Sequence, residues 1–461
     1  MKKLLLLLTI GLISLLQLNA QDFNKTPQGG EVQINRQLEP CLSDSQRDAF
    51  KLMISNNIAQ LSREGKLQEI NRQGEHPLFI WPITQAAGFN YGSNWALINY
   101  IDHDPAYPGS IEDYDCGDRS YDTASGYNHQ GFDIISWPFT WQQMDRNQAI
   151  NIAAADGQII AKTDGSYDRN CGSSSDQWNA IALQHDDGSV SWYGHMKNGG
   201  LTSKNIGDSV STGEFLGVVG SSGNSSQPHI HFEVYDSGNQ LIDPSIGPCN
   251  NFNVDTWWLD QKPYLNAAVN AALTHTAPPD FGTCPNPETT NESDQFDLDD
   301  NVVFAIYLRD QMAGTSVNLK ITRPDNSILV DWNYDLIDSY QVSHWYWINT
   351  VDMEGVWTWE ATYQGGTTSH NFNVGALGTE DNNLTNTIIY PNPANEKLFI
   401  ESEKTIVNVI IRDLLGRVVL QLNDSSVGIN EIDLRSITKG MYFVSLTSDT
   451  NKTKTLKLIK K

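Results

Sequence analysis

The chain has 461 residues, enough for about three domains that each bury a core of their own. Its 30 basic against 55 acidic residues leave a formal charge of -25, which argues against a surface built to neutralise nucleic-acid phosphates or an anionic membrane. A hydrophobic content of 39% with 13 Trp is too rich for a disordered acidic chain, so the charge must coat soluble folded domains.

Met1-Lys2-Lys3 precedes an apolar run from Leu4 to Leu16 and the exit Leu18-Asn19-Ala20, the pattern of a secretory signal peptide over residues 1–20. The run is shorter than the ~20 residues a bilayer requires, no Cys follows to carry lipid, and no transmembrane span is expected in the mature chain. Export places the five cysteines in an oxidising compartment, and the odd number leaves one over. Cys41 is the outlier. Among the alternatives for the other four, Cys116–Cys171 and Cys249–Cys284 are the expected disulfides, because each pair brackets one part of the same region.

Ser43-Asp44-Ser45-Gln46 reads as a capping box, and Phe50, Met53, Ile54, Ile58 and Leu61 recur at helical spacing, so residues 43–68 are predicted as one amphipathic helix. It lies in an N-terminal segment, residues 21–110, that is a candidate propeptide. A Gly/Asn/Asp/Pro-rich stretch with many aromatics runs on to about Tyr127. Short β segments separated by Gly, Asn and Ser turns then predict a compact antiparallel β domain, residues 111–285 with its motifs in 126–244. The polar run "PNPETTNESDQ", 285–295, reads as a linker. Residues 296–376 carry strands at the spacing of an Ig-like β-sandwich, with Trp357, Trp359, Ala361 and Tyr363 sharing one strand face. That face is expected to be core, since large exposed aromatic patches are uncommon, with a sugar-binding platform as the alternative. Residues 385–461 alternate strands and turns as a further small β-sandwich. The fold class is therefore mainly β with a short helical N-terminal segment.

Four of the ten histidines fall in "NHQGFDI", "WYGHM" and "PHIHFEV". In the last, His229, His231 and Glu233 alternate with Ile230, Phe232 and Val234, which puts both imidazoles on one strand face. His129 and Asp133 stand four apart around Gly131, which disfavours a helix, so an extended chain presents both on the same side. A carboxylate with two imidazoles suits divalent zinc, and three protein ligands leave a position for water. Such a site activates that water for attack on an amide, with nearby histidines handling its proton and the oxyanion.

Together these motifs resemble the lysostaphin-type (LytM-like) zinc metallopeptidases over residues 126–244, through "HQGFD", "AAADGQII", "YGHM", "IGDSVSTGEFLGVVGSSGNSSQPHIHFEV" and Asp243-Pro244. The resemblance implies one zinc per domain on His129, Asp133 and His231, with His195 and His229 as the catalytic histidines. Residues 220–227 would form a mobile cleft wall. His185, which matches no motif, reads as a surface residue at a strand end. Pro391-Asn392-Pro393, Asp413 with Gly416-Arg417, Gly440-Met441-Tyr442 and the Lys-rich end resemble the C-terminal sorting domain of the type IX secretion system of Bacteroidota. That implies a Gram-negative source, the type IX machinery as partner, and passage through the periplasm and across the outer membrane to the surface or the medium. The expected protein is a secreted zinc metalloendopeptidase acting on peptidoglycan cross-links or Gly-rich peptides through a zinc-bound water. Alternatives are a general extracellular protease of Gly-rich proteins and a catalytically inert cell-wall-binding protein. In transit through the periplasm residues 21–110 would restrain activity, the alternative being that they simply pack against the catalytic domain.

Overall fold

Ser43 starts the N-terminal helix as its sequence dictates: its Oγ accepts from the Gln46 N–H at 3.3 Å, and the Gln46 side chain accepts from the Ser43 N–H at 2.8 Å. The helix, Asp44–Glu64, stops short of the expected residue 68 because Gly65 turns left-handed at φ 65° and caps the carbonyls of Leu61 and Ser62. In this computed structural model the described residues are 23–34, 39–71, 75–375, 387–402, 404–413, 416–423, 429–449 and 453–461. The signal-peptide expectation, residues 1–20, lies outside them. The chain divides into two compact units, Met1–Asn373 and Val374–Lys461. Among the described residues no helix is long and apolar enough to cross a membrane.

Period-2 alternation builds the centre of the first unit. An 8-stranded sheet runs in the order Ser209–Val210, Gly157–Thr163, Ala180–Gln184, Val190–Gly194, His229–Tyr235, Phe132–Ser136 and Trp95–Asn99, with Leu241–Ile242 also paired to His229–Tyr235. A second, 4-stranded sheet orders Ile83–Gln85, Ala149–Ile152, Phe215–Val219 and Met196–Leu201. Ile230, Phe232 and Val234 share a buried core with Leu216 and Val219 of the smaller sheet. Their alternates, His229, His231, Glu233 and Tyr235, therefore face the other way. The N-terminal helix covers that second face. Its Phe50 lies edge-on to Trp178 and Trp192 at 5.6 and 4.9 Å, a contact whose truncation to Ala would cost about 3–5 kcal/mol.

The remainder of the first unit is a sandwich. Its 4-stranded sheet is Gln28–Glu31, Tyr340–Thr350, Asn301–Gln311 and Ala268–His275, and its 5-stranded sheet is Gln295–Phe296, Gly366–Val374, Gly355–Tyr363, Thr315–Thr322 and Ile328–Leu336. Trp357, Trp359, Ala361 and Tyr363 are buried, so the aromatic face is core, with Phe304 packed on Trp359 and Phe372. Trp137 and Phe139 join Ala271, Tyr307 and Val342 in one buried cluster, which makes the sandwich and the histidine-bearing sheets a single body.

Three sequence expectations need correction here. The disulfides are Cys116–Cys249 and Cys171–Cys284, not Cys116–Cys171 and Cys249–Cys284. Neighbours along the chain are not neighbours in the meander: the Cys249 N–H donates to the Tyr114 carbonyl at 2.9 Å, and Arg169 donates to the Pro285 carbonyl at 3.2 Å, so each cysteine meets a remote partner. Cys41 is left free, as the odd count required, and is buried. The run 285–295 is not a loose tether, because Glu288 accepts from the Trp141 and Gln142 N–H groups at the start of the short helix Thr140–Asp145. His185 is buried rather than on the surface, its ring held by the Asp156 carbonyl at 2.7 Å and Ser191 Oγ at 2.8 Å.

The second unit is a small sandwich of a 3-stranded sheet (Ile388–Tyr390, Lys397–Glu401, Glu431–Asp433) and a 4-stranded sheet (Val418–Asn423, Ile406–Arg412, Gly440–Ser448, Thr453–Lys460). Leu398, Ile432, Val409, Val444 and Leu458 form its core. Within it Asp413 and Arg417 make a turn, the carboxylate accepting from the Arg417 N–H at 3.0 Å and Nε at 2.8 Å.

Candidate active site

Antiparallel register assembles the site from segments far apart in sequence. His231 stands directly opposite Asp133 on one neighbouring strand and Gly194 on the other. Residues opposite one another in such a ladder point to the same face, so Asp133 and His231 meet there, with His129 at the entrance to the Asp133 strand. His229 is two residues from His231 and shares its face. The chain leaves the larger sheet at Gly194 and enters the smaller at Met196, and His195 makes that crossing at φ 58°, a conformation rare for a side-chain-bearing residue and tolerated where surroundings enforce it. Gly131 is required for packing: a Cβ there would lie 2.7 Å from His231 Nε2 and 2.8 Å from the Phe232 carbonyl.

All five sequence-predicted residues are brought together, and all are buried, at 0 to 4% exposure. His129 Nε2 lies 3.1 Å from Asp133 Oδ2 and 3.3 Å from His231 Nδ1, which lies 2.8 Å from Asp133 Oδ1. The rings of His195 and His229 adjoin, with centroids 4.4 Å apart, and His195 is 5.8 Å from His231. Each imidazole is anchored by the nitrogen that faces away. His129 Nδ1 meets the Tyr100 carbonyl at 2.7 Å, His195 Nδ1 the Ser222 carbonyl at 2.6 Å, and His229 Nδ1 the Gln227 carbonyl at 2.8 Å. His231 Nε2 meets Glu233 Oε1 at 2.7 Å. A carbonyl or carboxylate in that place fixes which nitrogen keeps its lone pair for the centre. Among the described residues His195 Nε2 is buried without a nitrogen or oxygen partner.

The electrostatics follow from these contacts. Burial opposes the charge on Asp133, yet the surrounding His129 and His229 hold its carboxyl well below the usual range. His195 is pushed below its ordinary value by burial and by His229. Burial likewise opposes Glu233, and the Arg47 guanidinium holds it well below the carboxylate range through bonds of 2.7 and 2.8 Å.

One carboxylate oxygen and two imidazole nitrogens that converge while their far sides are hydrogen-bonded form a donor set that fits zinc. Ligand atoms from His129, Asp133, His231 and also Cys41 all lie within 4.8 Å of one another, and Cys41, His195 and His229 form a second such group. A tetrahedral zinc with bonds of about 2.0–2.3 Å sets its ligands about 3.4 Å apart, which this clustering accommodates.

Sequence reading did not find the supports. Asn99 Nδ2 donates to Asp133 Oδ2 at 2.9 Å from the next strand, and Tyr121 stacks on His129 at 4.6 Å. No local pattern marks either. Glu233 was visible as the third residue of the alternation with His229 and His231, and its role emerges only with Arg47 beside it. Residues 220–227 form a bonded wall, with Gly220 bridged to His229, Ser221 to Arg169 and Ser225 to Gly172. Asp243, part of the sequence resemblance, pairs with His103 at 2.9 Å away from the cluster's ligand groups.

Residues 145–244 match Peptidase family M23, and residues 388–461 match a secretion system C-terminal sorting domain. The first match includes His195, His229 and His231 but begins after His129 and Asp133, which cross-strand register brings to them. Among solved structures the chain is similar to the catalytic domain of the antimicrobial peptidase lysostaphin from Staphylococcus simulans, at 21% identity over 34% of this chain and 89% of that one, with TM-score 0.20. It is also similar to the catalytic domain of a prophage-encoded M23 protein from Enterococcus faecalis, at 20% identity over 37% and 94%, with TM-score 0.22. A zinc containing peptidase from Vibrio cholerae is similar at 19% identity over 41% of this chain and 44% of that one, with TM-score 0.23.

Proposed function

We infer that this chain, a peptidase with a family M23 domain and a type IX sorting domain that directs export to the cell surface or beyond, is a zinc metalloendopeptidase. The observation that carries the reading is the convergence of His129, Asp133 and His231 beside two further histidines, each ring anchored from behind. In this reading His129 Nε2, Asp133 and His231 Nδ1 would hold the metal. Zinc bound there would polarise a substrate carbonyl and lower the pKa of water towards about 7.

The chain's own residues do the rest. The Nδ1 of His195 is committed to the Ser222 carbonyl and burial disfavours its charged form, so its Nε2 is the atom to take a proton and later return it to the leaving amine. His229, held by the Gln227 carbonyl, presents Nε2 on the same side and stabilises charge developing on the carbonyl oxygen. Asn99 and Glu233 keep Asp133 and His231 in their orientations.

The substrate is a peptide chain that is slim next to the scissile bond: a Gly-containing peptidoglycan stem or bridge, or a Gly-rich protein. Gly220 is bridged to His229 and Ser225 Oγ lies 3.3 Å from its Nδ1, so small residues stand beside that ring, which favours an extended backbone with slim neighbours at the cut. A chain exported beyond its own outer membrane is removed from its own cell wall, which favours foreign walls or extracellular proteins. Digestion of defined peptidoglycan and of a Gly-rich protein, side by side and with zinc analysis of the purified chain, tests the reading. We expect about one zinc and cuts next to Gly. A preference for large apolar residues on both sides of the cut would point to a general protease, and a metal-free, inactive chain to a wall-binding protein.

A further inference from the structure

The N-terminal segment crosses the site. Residues 39–43 run as a strap into the helix, over the face that carries His229 and His231. Asn224 of the 220–227 wall donates to the Pro40 carbonyl at 2.8 Å, while on the opposite side the Cys41 thiol meets the Tyr121 hydroxyl at 3.0 Å. Leu42 is buried in the cluster that holds Phe50, Trp178 and Trp192. Immediately after the strap, Gln46 donates to the Asp176 carbonyl at 2.7 Å, and Arg47 closes on Glu233.

The thiol is therefore placed by both walls, and its placement is central. Cys41 is 0% exposed, belongs to both ligand groups around the five site residues, and forms no disulfide. A second sign of a ligand at this point is His195 Nε2, fully buried and, among the described residues, without a nitrogen or oxygen partner, in the group it shares with Cys41 and His229. With Cys41 and the strap in place the five residues are shut from solvent, so no peptide reaches them.

We propose that Cys41 is a latency ligand: with the strap closed its thiolate occupies the position on the zinc of His129, Asp133 and His231 that peptide hydrolysis needs open. The proposal rests on the zinc-peptidase reading. Metal binding releases the thiol proton. Opening breaks the metal–sulfur bond and returns one proton to the thiolate, with no oxidant involved. Cutting or displacing the segment ahead of the helix achieves it, because apart from the metal–sulfur bond the strap is held by hydrogen bonds and burial.

Zinc X-ray absorption on the full chain tests this without relying on activity. We expect one sulfur at about 2.3 Å in the wild type, and a shell of nitrogen and oxygen only in Cys41→Ala and Cys41→Ser. If the strap is open in less than a tenth of molecules, Cys41→Ala should hydrolyse a Gly peptide about tenfold faster or more at equal zinc content. A wild-type shell with no sulfur overturns the latency ligand while leaving the peptidase reading standing. Sulfur in the shell with no gain in either variant overturns the latency role. A chain that holds no zinc overturns both readings, and the wild-type spectrum decides even if a variant fails to fold.

Discussion

His185 and His275 are as deeply buried as His195 and His231, yet the protein handles the two sets in opposite ways. His185 has both nitrogens satisfied, by the Asp156 carbonyl and Ser191 Oγ, and His275 by the Thr290 carbonyl at 2.7 Å and the Tyr307 hydroxyl at 2.9 Å. Each is a closed hydrogen-bonding unit inside a core. In the cluster around His231 each ring has one nitrogen tied from behind and the other turned towards the same small volume. Burial alone does not mark a functional histidine. What sets the site histidines apart is that the nitrogens not tied from behind converge with the Asp133 carboxylate and the Cys41 thiol into groups able to hold one metal ion.

That distinction can be broken first at the ligands. His129→Ala or His231→Ala should lose metal and activity together, whereas His185→Gln should keep both, as read by zinc content and peptide hydrolysis. His195→Ala sharpens the contrast within the cluster, since it should retain zinc but lose about 100-fold or more in turnover. Loss of the metal in that variant would make His195 a ligand. A smaller effect is expected at Asn99, which touches the site only through Asp133: Asn99→Ala should weaken zinc binding or activity about 10- to 100-fold, measured by chelator competition.

The last consequence falls on the structural set, and it is read in stability and not in activity. Burial pushes His275 down to about 4, while in the unfolded chain a histidine titrates near 6.5. Between those values only the unfolded state takes up the proton, so the contribution is present above about pH 6.5 and is lost as pH falls towards 4, on the order of 3 kcal/mol. Denaturant unfolding over this range should show the loss, and His275→Phe should remove that part of the slope.

What the sequence made legible was local. Alternation in "PHIHFEV" puts His229 and His231 on one face, and the capping box starts the helix at its observed residue, because both depend only on neighbours along the chain. The pairing of His231 with Asp133 depends on which strands lie side by side, and the motif resemblance supplied it where no short pattern could. Asn99, Arg47 and the two disulfide partnerships depend on the same long-range register and had no such guide. The odd Cys41 was visible as a count; its location in the site was not.

The strand Gln28–Glu31 has a consequence for any shortened form of this protein. It covers the outer side of Tyr340–Thr350, whose other side is taken by Asn301–Gln311, so it is the lid on one border of the sandwich. A chain trimmed beyond Glu31 gains an uncovered row of backbone donors and acceptors along Tyr346 to Ser343, a template onto which another extended polypeptide can add. Proteolytic trimming past Glu31 would thus create a sticky margin on the sandwich, and self-association would be its first visible sign.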